Sequence, residues 1–358
     1  MAQTNQTWNK HGPGPGGAHL KLKLATVIAG LIGLALATAI VVHEGLADIL
    51  AVLAQAGPVL LWLVPFRALP LFLDVQGWRT LLAPRDPERR VRLPFLFWVA
   101  TVREAVDRLL PVANVGGAIV GARLVRLRGL NGAAAAASVI VETLLSMISQ
   151  FAFTGLGLVL LITLTHPTAL AGSILSGAVL GLALPITVGL LLRYGSVFER
   201  LEKGIERLLG DRKQLAGLLD GSNLDAEIQA LYRRRGQLLI ALCWQLAGYL
   251  LSSFETWFAL AALGHPVPVA SAVALEALTQ AVRNFVFFVP AGLGVQEAGL
   301  VLFGQMVGVG SEVAVALSLA KRMRELLFGI PALIAWQWFE GRRLVGAAAG
   351  GPGPRKKT

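Results

Sequence analysis

Charge is scarce in this chain: Asp, Glu, Lys and Arg together make up 15% of its 358 residues, against 55% hydrophobic. Mean hydropathy is +0.66, more apolar surface than a water-soluble domain of this length has core to hide it in. Cysteine is almost missing. The single Cys243, in an apolar run, excludes a disulfide framework or a thiolate metal site within one chain. The histidines (His11, His19, His43, His166 and His265) fall in tails and predicted loops, without metal-ligand spacing. G-x-S-x-G, Walker A and H-E-x-x-H motifs are absent as well. No polar stretch is large enough to be a soluble catalytic domain, and nothing marks a nucleophile, so no catalytic residue, cofactor or metal is expected.

What the chain does have is a series of apolar runs close to the ~20 residues that cross a bilayer. They start near Leu24–Val42, Ile49–Leu82, Ala133–Thr163, Ile174–Leu192, Leu238–Leu263 and Val313–Phe339. Ala35-Leu36-Ala37 has the look of a signal-peptidase site, but the run continues past it, and a retained helix is expected. A bend is expected at Pro65 or Pro70. The excess of basic residues, net charge +11, gathers in alternate loops: Arg85, Arg89, Arg90 and Arg92; Arg123, Arg126 and Arg128; Arg193 to Arg235; Arg342 and Arg343. The loops at His43, His166 and His265 carry no Lys or Arg. This bias orients the chain with both termini in the cytoplasm and answers anionic lipid, not nucleic acid.

Two stretches break the pattern. FLFWVATVREAVDRLLPVANVGGAIVGAR, within 95–123, and VRNFVFFVPAGLGVQEAG, within 270–309, are mainly apolar yet hold Pro111, Gly116 and Gly117, and Pro290, Gly292 and Gly294. Proline and paired glycines end helices and allow tight turns. Broken backbone at membrane depth survives only against protein or a polar cavity. Basic residues flank the first stretch at both ends and neither end of the second, so they read as two re-entrant hairpins from opposite sides. The expected fold is an all-α polytopic membrane protein with about six transmembrane helices and two Pro/Gly-broken re-entrant hairpins in an inverted repeat. The divisions are a disordered cytoplasmic tail at 1–20, a first membrane half at 21–165, a second at 166–343 containing a basic amphipathic segment at 193–236, and a basic C-terminal tail at 344–358. GxxxG patterns at Gly117–Gly121, Gly177–Gly181 and Gly304–Gly308 permit close helix packing without establishing an oligomer.

Charges inside these apolar regions are costly, on the order of 2.5–3.5 kcal/mol or more when they face lipid. The sequence places Arg67, Arg103, Arg108, Arg283, Lys321, Arg322 and Arg324 there, with Asp74, Glu104, Asp107, Glu142, Glu255, Glu276, Glu297 and Glu325. Such a set has to line a polar interior. Helical spacing allows the pairs Arg103–Asp107, Glu104–Arg108 and Lys321–Glu325, and puts Glu276, Gln280, Arg283 and Asn284 on one face. Lys321, Arg322 and Arg324 crowd one turn and suit a phosphate, unless they only answer Glu255, Glu276 and Glu297. The expected ligand-binding set is Arg103, Arg108, Arg283, Asn284, Lys321, Arg322 and Arg324. Glu104, Asp107, Glu142, Glu276, Glu297 and Glu325 are expected to balance charge or carry coupling protons.

PVANVGG (Pro111–Gly117) after VREAVDRLL, and PAGLGVQEAG (Pro290–Gly299) with ALSLAKRMRELLFGIPALIAWQ beyond it, carry a resemblance. They resemble flippase-like proteins related to the membrane region of lysylphosphatidylglycerol synthases, closest to the branch found with hopanoid-biosynthesis loci. The similarity runs from Leu24 to Gln337. It implies a multi-pass protein of the bacterial inner membrane that moves a lipid between leaflets, with a hopanoid-related lipid as cargo by association and lipid-biosynthesis proteins as partners. The cation cluster points instead to an anionic, phosphate-bearing lipid. Multidomain relatives carry a soluble aminoacyl-transfer domain after the membrane region; the short basic tail here leads to the expectation that this chain alone does not aminoacylate lipid. The alternatives are a membrane-embedded lipid-modifying enzyme and a non-transporting partner of a lipid-synthesis complex.

Overall fold

The computed structural model describes residues 46–110, 116–165, 186–195, 221–286 and 292–349. The first predicted span, most of the fourth, the N-terminal tail, Pro111 and Pro290 lie outside them. Among the described residues the regular structure is all helical. In chain order the helices are α1 (Leu46–Ala56), α2 (Leu63–Leu82), α3 (Leu93–Leu109), α4 (Gly116–Arg126), α5 (Gly132–Thr165), α6 (Gly221–Arg233), α7 (Arg235–Ala262), α8 (Val269–Phe285), α9 (Val295–Met306) and α10 (Ser311–Ala349). Residues 186–194 are also helical.

Three helical stretches are long and apolar enough to cross a membrane: Ile49–Arg85, Gly132–Leu164 and Arg235–Ala262. They coincide with the second, third and fifth predicted spans. The sixth is one unbroken helix, α10, but Lys321, Arg322, Arg324 and Glu325 interrupt its apolar run. The outer surface carries exposed Trp62, Ile119, Leu239, Leu302 and Ile334, as expected of side chains bathed in lipid. Pro65 and Pro70, where a bend was expected, both lie within the continuous helix α2. The change in helix type comes earlier, in a 3-10 segment at Gly57–Trp62, where Gly57 takes φ +57°. Pro65 sits in the first turn of α2, where its missing N–H costs nothing.

Helices α3 and α4 form an antiparallel pair: Gly117 lies against Asp107, and Gly121 against Arg103. Leu110, just before Pro111, leaves the helical region for an extended conformation, as a residue preceding proline tends to do. Helices α8 and α9 form a second antiparallel pair, with Gly299 against Thr279 and Gly292 against Arg283. Gly292 and Gly294 take φ +59° and +75°, so α9 begins from two left-handed positions that side-chain-bearing residues rarely adopt. Helices α2 and α7 cross antiparallel, Asp74 against Gly248 and Gly77 against Ala241.

The remaining contacts come in couples. The first helix of each pair packs on the long helix of the other half: α3 on α10, and α8 on α5. The second helix of each pair packs on the helix that follows it: α4 on α5, and α9 on α10. The α3/α4 pair opens beside the C-terminal end of α2, where Arg90 reaches the Gly129 carbonyl. The α8/α9 pair opens at the far end of α7, where His265 bonds the Gly308 carbonyl. Because α2 and α7 are antiparallel, the two openings face opposite ends of the molecule.

Two large apolar cores follow from this arrangement, with two smaller clusters beside them. One joins α1, the end of α7, α8, α9 and the start of α10 through Ile49, Leu260, Leu275, Leu300 and Leu317. The other joins α2, α3, α4 and the start of α5 through Trp78, Leu96, Val102, Leu124 and Ala135, with Ala332 of α10. Between them lies a polar layer.

Candidate functional site

The long helices carry apolar residues at their ends and polar ones at the middle of the bundle. Helix α10 passes from Leu317 and Ala320 of the first core, through Lys321, Arg324 and Glu325, to Ala332 of the second. Helix α7 presents Gln245, Tyr249, Ser252 and Glu255 at spacings of three and four, one continuous polar face. These faces enclose a cavity of about 220 Å³. Arg67 and Asp74 of α2, Glu104 and Arg108 of α3, and Ser146 of α5 line it from the first half. Glu276, Gln280, Arg283 and Asn284 of α8, with Gln296 of α9, line it from the second.

The lining is formally balanced, Arg67, Arg108, Arg283, Lys321 and Arg324 against Asp74, Glu104, Glu255, Glu276 and Glu325. Most of these charges are already matched. Arg67 Nη2 lies 2.7 Å from Glu104 Oε1, and Arg283 Nη2 lies 3.1 Å from Glu325 Oε1 while its Nη1 donates to Gln296 at 2.6 Å. Lys321 and Thr256 both donate to Glu276 Oε2, and Gln280 donates to its Oε1 at 2.6 Å. Arg324 stands between Glu255, at 3.0 Å, and Glu104, at 3.8 Å. Its Nε is close to Glu255 Oε1 but not aligned for a hydrogen bond, so both atoms stay unsatisfied. Glu104 Oε2 and Thr279 Oγ1 are likewise buried without a partner among the described residues. Arg108 and Asp74 make no ion pair or hydrogen bond among those residues.

Beside the cavity, two more pairs tie the layer together. Arg103 Nη2 lies 2.7 Å from Glu142 Oε2, above the Trp78 ring at 4.5 Å, and Gln245 donates to Glu142 at 3.1 Å. Arg322 Nε lies 2.6 Å from Glu297 Oε1, and its Nη2 donates to the Gly292 carbonyl at 3.2 Å. Asp107 accepts the Gly117 N–H at 2.8 Å, so the chain's own carboxylate occupies the N-terminus of α4.

The expected ligand set therefore divides. Arg108, Arg283, Asn284, Lys321 and Arg324 line the cavity, with Glu104, Glu276 and Glu325, while Arg103, Arg322, Asp107, Glu142 and Glu297 stand behind it. Gly116, Gly117, Gly292 and Gly294 sit at the closed ends of the helix pairs, off the lining. The three predicted same-helix pairs do not form: Arg103 turns to Glu142, Glu104 to Arg67, and Lys321 to Glu276. Spacing of four describes neighbours on an exposed helix face. Here the faces meet other helices, and bonds across the bundle bury both charges. Arg67, Asp74 and Glu255, expected in the polar interior but not in the ligand set, line the cavity as well, whereas sequence reasoning missed Gln245, Tyr249 and Ser252. The polar stripe along α7 was the available signal.

A family model described as lysylphosphatidylglycerol synthase TM region matches residues 24–332. No curated protein and no solved structure matches the chain.

Proposed function

Because the chain belongs to the family of lysylphosphatidylglycerol synthase transmembrane regions, a membrane family tied to lipid synthesis and lipid flipping, we propose that it moves a lipid between leaflets of the bacterial inner membrane. The two helix pairs act as re-entrant hairpins from opposite faces, both termini lie in the cytoplasm, and the head group passes through the polar layer between them. The observation that carries this reading is the cavity itself, a charged, balanced chamber at the meeting point of both halves in a molecule with an apolar exterior. The coupled packing of α3 on α10 and of α8 on α5 supports an inverted repeat with its site at the midplane. The buried Glu104 Oε2 and Thr279 Oγ1, without a partner among the described residues, favour a polar guest.

Lys321, Arg322 and Arg324 each face a glutamate, so a phosphate would have to compete with Glu276, Glu297 or Glu255. Arg108 makes no ion pair among the described residues and is the cation we assign to the phosphate of a lipid head group; a hopanoid-related lipid with a polar head would meet the same chamber. The test is leaflet exchange in liposomes holding the full-length protein, with labelled phosphatidylglycerol, phosphatidylethanolamine and a hopanoid. Arg108→Gln is expected to slow exchange of the transported lipid at least about tenfold, the loss of a charge-assisted contact. Arg126→Gln, on the exposed end of α4, should leave it unchanged. No exchange of any of the three lipids, or turnover of one of them in detergent, overturns the reading.

A further inference from the structure

A second concavity lies away from the cavity, where the apolar stretch Ile49–Arg85 ends. It is an open groove of about 820 Å³ whose lining includes Arg89, Arg90, Arg92 and Arg128 beside Phe95 and Trp98. Whereas the cavity balances its charges, this groove sets four arginines against Glu88 alone. Glu88 is taken by Arg90 at 2.7 Å. Arg89 and Arg92 make no ion pair among the described residues, and Arg128 rests on the face of Phe95 at 4.1 Å.

The loop that holds these arginines is built. Buried Asp86 accepts the N–H groups of Arg90 and Val91, each at 2.8 Å, which turns the chain tightly before α3. Arg89 is held at φ +52°, a conformation uncommon and costly for a side-chain-bearing residue. Depth identifies the source of the ligand. The groove begins three residues beyond the apolar stretch, at Glu88, and shares its wall with Trp98, which meets Phe339 edge-on at 5.4 Å. Arg342 stacks on the exposed Trp338 nearby. Tryptophans and arginines so placed belong to the head-group level of a bilayer.

We propose that this groove binds the head group of an anionic phospholipid from the adjoining leaflet, at a site separate from the cavity. Forked guanidinium groups fit its phosphate, and the aromatic wall fits the top of its acyl chains. The occupant stays in the leaflet, so the site anchors the open end of the α3/α4 pair whatever the cavity carries.

The test is native mass spectrometry of the full-length protein in neutral detergent, offered short-chain phosphatidylglycerol, phosphatidylcholine with the same chains, or inorganic phosphate. Phosphatidylglycerol adducts are expected at clear excess over phosphatidylcholine. Arg92→Gln with Arg128→Gln should weaken them at least about tenfold, the loss of two charge-assisted contacts. Arg89→Gln, in an exposed loop, covers the case in which the double variant does not fold, and should weaken them about threefold. Equal adducts in wild type and both variants, equal retention of phosphatidylcholine, or displacement of the lipid by inorganic phosphate alone would each overturn the proposal. Binding in detergent involves no leaflets, so these outcomes stand whether or not the protein transports.

Discussion

Lys321→Met will destabilise the protein by about 3–5 kcal/mol, the usual cost of stripping one partner from a buried ion pair. Lys321 and Glu276 are exposed by only 8% and 7%. Without the ammonium, Glu276 keeps two neutral donors, Thr256 and Gln280, and no counter-charge at hydrogen-bond distance. Burying that carboxylate costs more than the hydrogen bonds return. Denaturant titration in mild detergent reads the loss. Lys321→Met combined with Glu276→Gln should recover most of it, since the uncompensated charge is gone. Arg123, 59% exposed in its pair with Glu340, sets the scale from the other side: Arg123→Gln should cost less than about 1 kcal/mol. Equal losses at Lys321 and Arg123 would mean that the polar layer is hydrated enough to behave as surface.

Gly157→Leu will have an effect of similar size by a different route. A Cβ at Gly157 would strike the Cβ of Ala277 and sit 3.5 Å from the Ala274 carbonyl oxygen. At this point α5 and α8 meet through Gly157, Ala274 and Ala277, small residues of the kind by which helices in lipid approach closely. A leucine leaves no rotamer that avoids α8, so the two helices must part. Overpacking of this kind costs about 1–3 kcal/mol and sometimes more. Glu276 and Gln280 lie on the displaced helix, so the same substitution should abolish leaflet exchange. Gly155→Leu is the control, because a Cβ there meets nothing within 4 Å. Equal stability of the two variants would refute the close packing of α5 on α8.

The broken stretches were legible because they depend on single residues. Leu110 before Pro111 has to leave the helix, and Gly292 and Gly294 hold dihedrals that other residues avoid. Pattern alone thus located both helix pairs. The crowd of charges in apolar surroundings also foretold a polar interior, with Glu276, Gln280, Arg283 and Asn284 on one lining face. The choice of partners was not legible. Lys321 finds Glu276 across 45 positions of sequence, and Arg67 finds Glu104 across 37. Such pairs are set by which helix packs on which, a property of the whole bundle. The sixth predicted span shows the same limit: α10 is one continuous helix, but its central turn serves the polar layer and its ends serve two separate cores.

The position of Arg324 has a kinetic consequence. One guanidinium stands between Glu255 of α7 and Glu104 of α3, carboxylates from different halves of the chain. Glu104 is already held by Arg67 at 2.7 Å, so sliding from Glu255 to Glu104 would leave Glu255 buried without its cation. The two positions are unequal, and a rearrangement that parts α3 from α7 has to break or replace the Arg324–Glu255 contact. A bundle fixed by buried ion pairs thus has, in this one residue, an electrostatic tie between its halves that any relative motion must strain.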